Sequence, residues 1–310
     1  MTNKRKGFNL NGIIVIDKPY GLSSNQALQR VKRLFNAQKA GHTGSLDPMA
    51  TGVLPICLGQ ATKISQYILD ADKAYHAVIQ LGISTDSGDS EGKIIHEHSV
   101  KNLSIEEIQS VLQKFVGEIK QVPPMFSALK YKGIRLYELA RKGITIERKA
   151  RTIKIYELSL IKYSSQKHTI EIAVRCSKGT YIRTLGIDIS KALNCEGHLI
   201  KLTRTQCGLL TTEDTFSLEI LHELSMTSRY KKILNAEYAM INTPIFNIPS
   251  DQENLFYLKG KIHLNNTFTG TARIYDHNKF IAIGHFEQGN LLKKQLFLQG
   301  IIENEPKIYD

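Results

Sequence analysis

The sequence predicts an α+β protein in two parts, and three observations carry that prediction. Segments in which apolar residues alternate with polar ones, such as Ala74–Leu81 and His168–Cys176, lie among segments with helical apolar stripes. At 310 residues the chain exceeds the roughly 250 that one hydrophobic core ordinarily serves. From Ile245 to Ile302 it changes to short apolar strands punctuated by Lys259-Gly260, Asn265-Asn266, His277-Asn278 and Gln288-Gly289, the pattern of a small β-barrel.

In chain order, Ile13–Ile16 reads as a buried strand stopped at Asp17-Lys18-Pro19. Ser23 with Gln26 is a capping box, and Leu28, Val31, Leu34 and Phe35 form the apolar stripe of the helix it opens. Ala61–Leu69 reads as a second helix. In the strand Ala74–Leu81, Tyr75, Ala77, Ile79 and Leu81 share a face, so Tyr75 is as readily a core aromatic as a site residue. Ser84–Gly92 is a polar turn whose Asp86 and Asp89 could ligate a hard cation, although side-chain bonds to the turn's own backbone suit them better. Ser104 and Glu107 cap a helix with Ile105, Ile108, Val111, Leu112 and Phe115 inward and Gly117 at its end. Arg151–Tyr163 and His168–Cys176 read as neighbouring strands. Ser177–Thr180 then turns into a helix with Ile182, Leu185 and Ile189 inside, and Arg183 beside that stripe is either a surface charge or the buried partner of an acid. His198–Cys207 is a further strand, followed by a polar helical stretch from Ser225 to Asn235.

Gly41–Lys63, GHTGSLDPMATGVLPICLGQATK, follows neither period. Its four glycines and two prolines make it a shaped loop feeding the Ala61–Leu69 helix. Asp47 is its only acid, and Pro48 biases that residue away from helical backbone, so the carboxylate stands on a bend. Gly44 and Gly52 leave room for another backbone or a ligand. A plain Asp-Pro turn would look the same locally.

The 41 basic and 29 acidic residues leave a net charge of +12, which favours a polyanionic partner, nucleic acid ahead of an acidic membrane. The excess is concentrated at 120–151, where nine Lys or Arg face only Glu138 and Glu147, with Phe126, Tyr131 and Tyr137 interleaved. That mixture suits phosphate neutralisation and base stacking, and a merely solvated basic loop is the plainer alternative. No apolar run is long enough for a membrane span and Met1–Gly7 lacks the hydrophobic stretch of a signal peptide, so a soluble cytoplasmic protein is expected. Cys57, Cys176, Cys195 and Cys207 form no CxxC pair and read as core residues, not as zinc ligands or a disulfide framework. With no GxxxxGK[ST] loop either, neither a metal nor a cofactor is expected.

Six segments together carry a resemblance: Lys18-Pro19-Tyr20-Gly21-Leu22-Ser23-Ser24, the Gly41–Lys63 loop, Ala74-Tyr75, Thr85-Asp86 through Gly92, Pro123–Lys130, and Gly179–Leu185. In the same order they resemble the motifs of the pseudouridine synthases of the TruB type, which modify the T-loop uridine of tRNA. The resemblance implies a pseudouridine synthase fold over 1–244, a mixed, largely antiparallel sheet flanked by helices. The 120–151 segment would be an insertion that grips the T-arm of tRNA, and 245–310 resembles a PUA domain, an RNA-binding module. By resemblance Asp47 is the catalytic aspartate, Arg183 its partner, and Tyr75 a ring that stacks on the target base and handles its proton. Leu202 lines the uracil pocket, His42 stacks against flipped-out bases, and Gly44, Lys18, Pro19, Lys130 and Arg141 join the substrate contacts. A monomer is expected.

Turning uridine into pseudouridine breaks the C1′–N1 bond and rejoins the base through C5. The reaction needs a nucleophile or charge stabiliser, a pocket that retains the free base, and a way to take that base out of its stack. An ionised Asp47 could attack the anomeric carbon or C6 of the base, and an arginine beside it would keep it charged. Two rival functions stay open on the residues alone. One is a metal-dependent RNA phosphodiesterase built on Asp47, His42, Asp86 and Asp89. The other is a non-enzymatic RNA-binding factor in which the basic segment and the terminal barrel do everything.

Overall fold

The computed structural model describes residues 7–264 and 266–296. The sequence readings that touch 1–6, Asn265 and 297–302 lie outside the described residues. A nine-stranded sheet forms the centre of the molecule. Across it run Gly12–Lys18, Ala50–Leu58, Gly197–Cys207, Lys73–Leu81, Thr169–Cys176, Arg151–Ser164 and Gly117–Gln121, with Ala40–His42 paired to Ala50–Leu58 and Leu210–Thr211 to Gly197–Cys207. Only the pairing of Ala50–Leu58 with Gly197–Cys207 is parallel, so the sheet is mixed and largely antiparallel, as expected.

Successive residues of Gly12–Lys18 enter opposite cores. Ile14 and Ile16 join the core that also takes in residues of the helices Ser24–Leu34, Ile105–Gln113 and Ile182–Ala192, whereas Ile13 and Val15 join the one with Val53, Cys57, Ile64 and Ile68 on the other face. Both capping boxes form: Ser23 Oγ accepts from Gln26 N at 3.2 Å and Ser104 Oγ from Glu107 N at 3.1 Å, each with the reciprocal side-chain bond. Ile105, expected inward, is 51% exposed because it opens its helix ahead of the first turn that touches the sheet. Cys57, Cys176 and Cys207 are buried and Cys195 half-buried, all as free thiols.

The strand Ala50–Leu58 is a correction to the sequence reading, which left this stretch as loop. Its alternation is invisible because both faces are buried, Val53 and Cys57 in one core and Leu54, Ile56 and Leu58 in the other, and Pro55 argues locally against a strand. The proline is tolerated because of where it falls. Along that edge the Gly197–Cys207 partner ends opposite Gly52 and the Ala40–His42 partner begins opposite Ile56, so the missing N–H faces a gap between two ladders. The Ala61–Leu69 helix is likewise broken, into a 3₁₀ turn Gly59–Lys63 and a short helix Ser65–Asp70.

The terminal unit is a five-stranded sheet ordered Ile245–Asn247, Gly270–Asp276, Lys279–Glu287, Asn290–Leu296, Lys261–His263. Its core holds Phe256, Ile274, Phe286 and Leu291. The hairpin turns at His277-Asn278 and Gln288-Gly289 fall where the sequence puts them. Lys259-Gly260 does not turn between strands. It closes a helix, Glu253–Lys259, with Gly260 at φ +67° as the left-handed cap. Phe280 and Ile283 carry the unit's contact into the core beneath Ile13 and Val15.

Candidate active site

The bend that carries Asp47 connects Ala40–His42 to Ala50–Leu58, and neighbouring elements fasten it nearly residue by residue. Ser24 Oγ, at the start of its helix, donates to Leu46 O (3.0 Å) and accepts from Leu46 N (2.7 Å). Asp17 Oδ1 accepts from Gly52 N at 3.0 Å, and Gly21 N donates to Pro48 O at 2.9 Å. Lys18 Nζ donates to Pro19 O (2.9 Å), Leu22 O (2.6 Å) and Pro48 O (3.2 Å). Gly52 is required here by more than its φ of +99°: a Cβ at that position would lie 2.2 Å from Arg204 O.

Arg183 projects from the first turn of Ile182–Ala192 and meets Asp47 across 136 residues of chain. Nε donates to Asp47 Oδ2 at 2.8 Å and Nη2 to Asp47 Oδ1 at 3.1 Å, a bidentate pair that fixes the plane of the carboxylate. The remaining donors go to backbone, Nη1 to Ser87 O at 2.8 Å and Nη2 to Phe126 O at 2.7 Å, while Asp89 Oδ2 lies 3.6 Å from Nε. The two partners differ in exposure. The Arg183 side chain is 4% exposed and that of Asp47 37%, so the cation is enclosed and the carboxylate opens to solvent on one side.

Of the other residues singled out by sequence, Leu202 is buried opposite both Ala50 and Ala77 in the sheet, and Gly44 (φ +88°) sits at the start of the Asp47 segment. Tyr75 is 9% exposed, and burial pushes its phenol up to about 12. His42 is half-buried with no hydrogen-bond partner at Nδ1. Burial, then the charges of Arg204 and Arg135, lowers its pKa, so the ring is neutral at neutral pH. Pro19 is half-buried and accepts from Lys18 through its carbonyl. Lys130 and Arg141 are exposed on the insertion, and Arg141 lies 5.6 Å from the Tyr137 ring. Lys18 is held inside the bend. It has no exposed surface, and its ammonium is consumed by three carbonyls; burial lowers its pKa to about 8, against the raising effect of Asp47.

Three participants escaped the sequence reading. Asp89, read there as a turn residue, is 4% exposed and braces Arg183 from behind; the one signal for it is the Thr85-to-Gly92 motif. Glu91 follows it, its carboxyl pushed up by burial and by the charges of Asp89 and Asp47, so a second acid stands within electrostatic reach of Asp47. Arg204 is wholly buried beside Gly44 and Val53, and nothing in its local sequence marks it. The four residues of the phosphodiesterase alternative do not converge. Asp86 Oδ1 accepts from Lys93 N at 2.9 Å, and Asp89 binds Ser87 and Glu91 N within the turn. Among the described residues, a group of possible metal ligands does occur in the terminal unit, at Glu253, Asp276 and His277.

A profile of the family described as TruB family pseudouridylate synthase (N terminal domain) matches residues 32–182. Over 303 residues the chain is 52% identical to a tRNA pseudouridine synthase B of Francisella tularensis subsp. holarctica, and 51% identical to that of Francisella philomiragia. Each match covers 97% of this chain and 100% of the relative. Among solved structures it superposes on a chain of a Cbf5-Nop10-Gar1 complex with a TM-score of 0.71 at 24% identity, covering 97% of this chain and 91% of that one. A second superposition, on a chain of an H/ACA RNP bound to a substrate RNA containing 2′-deoxyuridine, gives 0.70 at 23% identity, covering 100% and 94%. At those identities the structural matches speak to the fold, and the full-length sequence matches decide the family: the chain belongs to the TruB family of pseudouridine synthases.

Proposed function

We propose that this protein, which isomerises uridine in tRNA to pseudouridine, acts on a T-loop uridine and uses Asp47 as the catalytic carboxylate. The observation that carries the proposal is the bidentate Asp47–Arg183 pair, in which an enclosed guanidinium holds a solvent-facing carboxylate on a fastened bend. In the reaction the C1′–N1 bond breaks, a C1′–C5 bond forms, C5 loses a proton and N1 gains one, so atoms balance with no co-reactant. Asp47 attacks the sugar or the base in the first half of that sequence and is released in the second. Tyr75 and Leu202 flank the uracil. His42, neutral, stacks on the displaced loop, as a ring without charge does best in a partly dry site.

The segment 120–151 supplies the grip on the T-arm. Its exposed Lys130, Lys132, Arg135, Arg141 and Lys142 lie among Tyr131 and Tyr137, a combination that favours phosphates and unstacked bases. Residues 1–244 form the catalytic domain and 245–310 a PUA-like barrel that adds RNA-binding surface; the five-stranded terminal sheet with its own core supports this division. The protein is read as a cytoplasmic monomer working on free tRNA; no helix among the described residues is long and apolar enough to cross a membrane.

The test is to incubate the purified protein with unmodified tRNA and map pseudouridine chemically. The wild type is expected to convert one T-loop position in the presence of EDTA. Asp47→Asn should lose roughly 10³-fold or more in rate while holding tRNA within a few fold. Strand scission that EDTA abolishes would instead signal a phosphodiesterase, and a silent Asp47→Asn would leave only RNA binding.

A further inference from the structure

Arg204 is 1% exposed yet forms no ion pair with any described carboxylate. Taking a guanidinium out of water is costly unless its donors are all used, so the bonds it makes show what it is there for. Nε donates to Val53 O at 2.7 Å and Nη2 to Gly44 O at 3.2 Å. Those carbonyls lie at the two ends of the segment that carries Asp47. Arg204 also stands opposite Gly52 in one neighbouring strand and Tyr75 in the other.

We infer that Arg204 is a positioning residue: it clasps Gly44 and Val53 so that the Asp47 bend is closed from both ends. Carbonyl partners in place of a carboxylate matter as well. They engage Nε and Nη2 without bringing a negative charge against the guanidinium, so its positive field at the bend is not cancelled by a carboxylate of its own. The inference rests on Asp47 being the catalytic carboxylate.

Arg204→Lys and Arg204→Met, made in the full chain, test it with unmodified tRNA, reading the single-turnover rate at saturating enzyme separately from tRNA affinity. Both variants are expected to bind within about threefold of wild type, with the rate down roughly tenfold in the lysine variant and roughly a hundredfold in the methionine variant. A lysine variant with a rate within about twofold of wild type overturns the inference, as does a rate loss matched by an equal loss of affinity. If the methionine variant fails to fold, the lysine variant decides. If neither gives the wild-type circular dichroism spectrum, Arg204 serves the fold alone and the inference falls. Asp47→Asn run alongside separates the two claims. Pseudouridine formed by that protein removes the catalytic reading, whereas an inactive Asp47→Asn beside an unimpaired Arg204→Lys removes only this inference.

Discussion

The protein uses basic side chains in two opposite ways, and the contrast between the Asp47 bend and the 120–151 insertion shows how. Around the bend, Lys18, Arg183 and Arg204 are each at most 3% exposed, and they donate to backbone carbonyls, with Arg183 alone also pairing with carboxylates, Asp47 and Asp89. On the insertion, Lys130, Lys132, Arg135, Arg141 and Lys142 are exposed, and among the described residues none pairs with a carboxylate. The first group shapes backbone and the second is left for phosphate. Net charge counts both alike, so it overstates the surface available to RNA and conceals the framework of the site.

Substitutions in the two regions should separate cleanly. The largest effect is expected at Arg183. Arg183→Met leaves Asp47, Asp89, Ser87 O and Phe126 O without their shared donor, and single turnover should fall roughly 10³-fold. Thermal unfolding should report a loss of about 2–4 kcal/mol, less than for a fully buried pair because Asp47 stays partly in water. On the insertion, replacing Lys130, Arg141 and Lys142 by Gln together should weaken tRNA binding on the order of 10–100-fold and reduce the slope of log K against log salt by about 2–3, with the saturated rate untouched. A lowered saturated rate would show that the insertion also shapes the bend.

The smallest effect is one of pH. Lys18 has a folded pKa of about 8, below its ordinary 10.5, so between those values the unfolded chain binds the extra proton. The cost of burying the ammonium is fully present below pH 8 and is relieved as pH rises to 10.5, so on this group's account stability increases over that window. Activity should move the other way. Loss of the charge loosens the bond to Pro48 O beside Asp47, and the single-turnover rate should decline above about pH 8. Lys18→Met should flatten that limb; an unchanged pH profile would detach Lys18 from the bend.

What was legible in the sequence follows the same divide. The strand Lys73–Leu81 and the capped helices Ser24–Leu34 and Ile105–Gln113 show plainly because one face meets a core and the other does not. Ala50–Leu58 was hidden because both its faces are buried, which erases alternation. Glu253–Lys259 was hidden because a seven-residue helix with Leu258 86% exposed buries only Phe256. In the site, Asp47 and Arg183 were visible as chemistry on unusual backbone. Arg204 was not, because a buried arginine on a strand looks like an exposed one until the partners of its donors are known.

The bond from Arg183 to Phe126 O has a consequence for timing. Phe126 lies near the start of the basic insertion, so the guanidinium that grips the carboxylate also grips the base of that insertion. An insertion displaced by even an ångström or two would stretch that contact, and the guanidinium holding the carboxylate would register the movement at once.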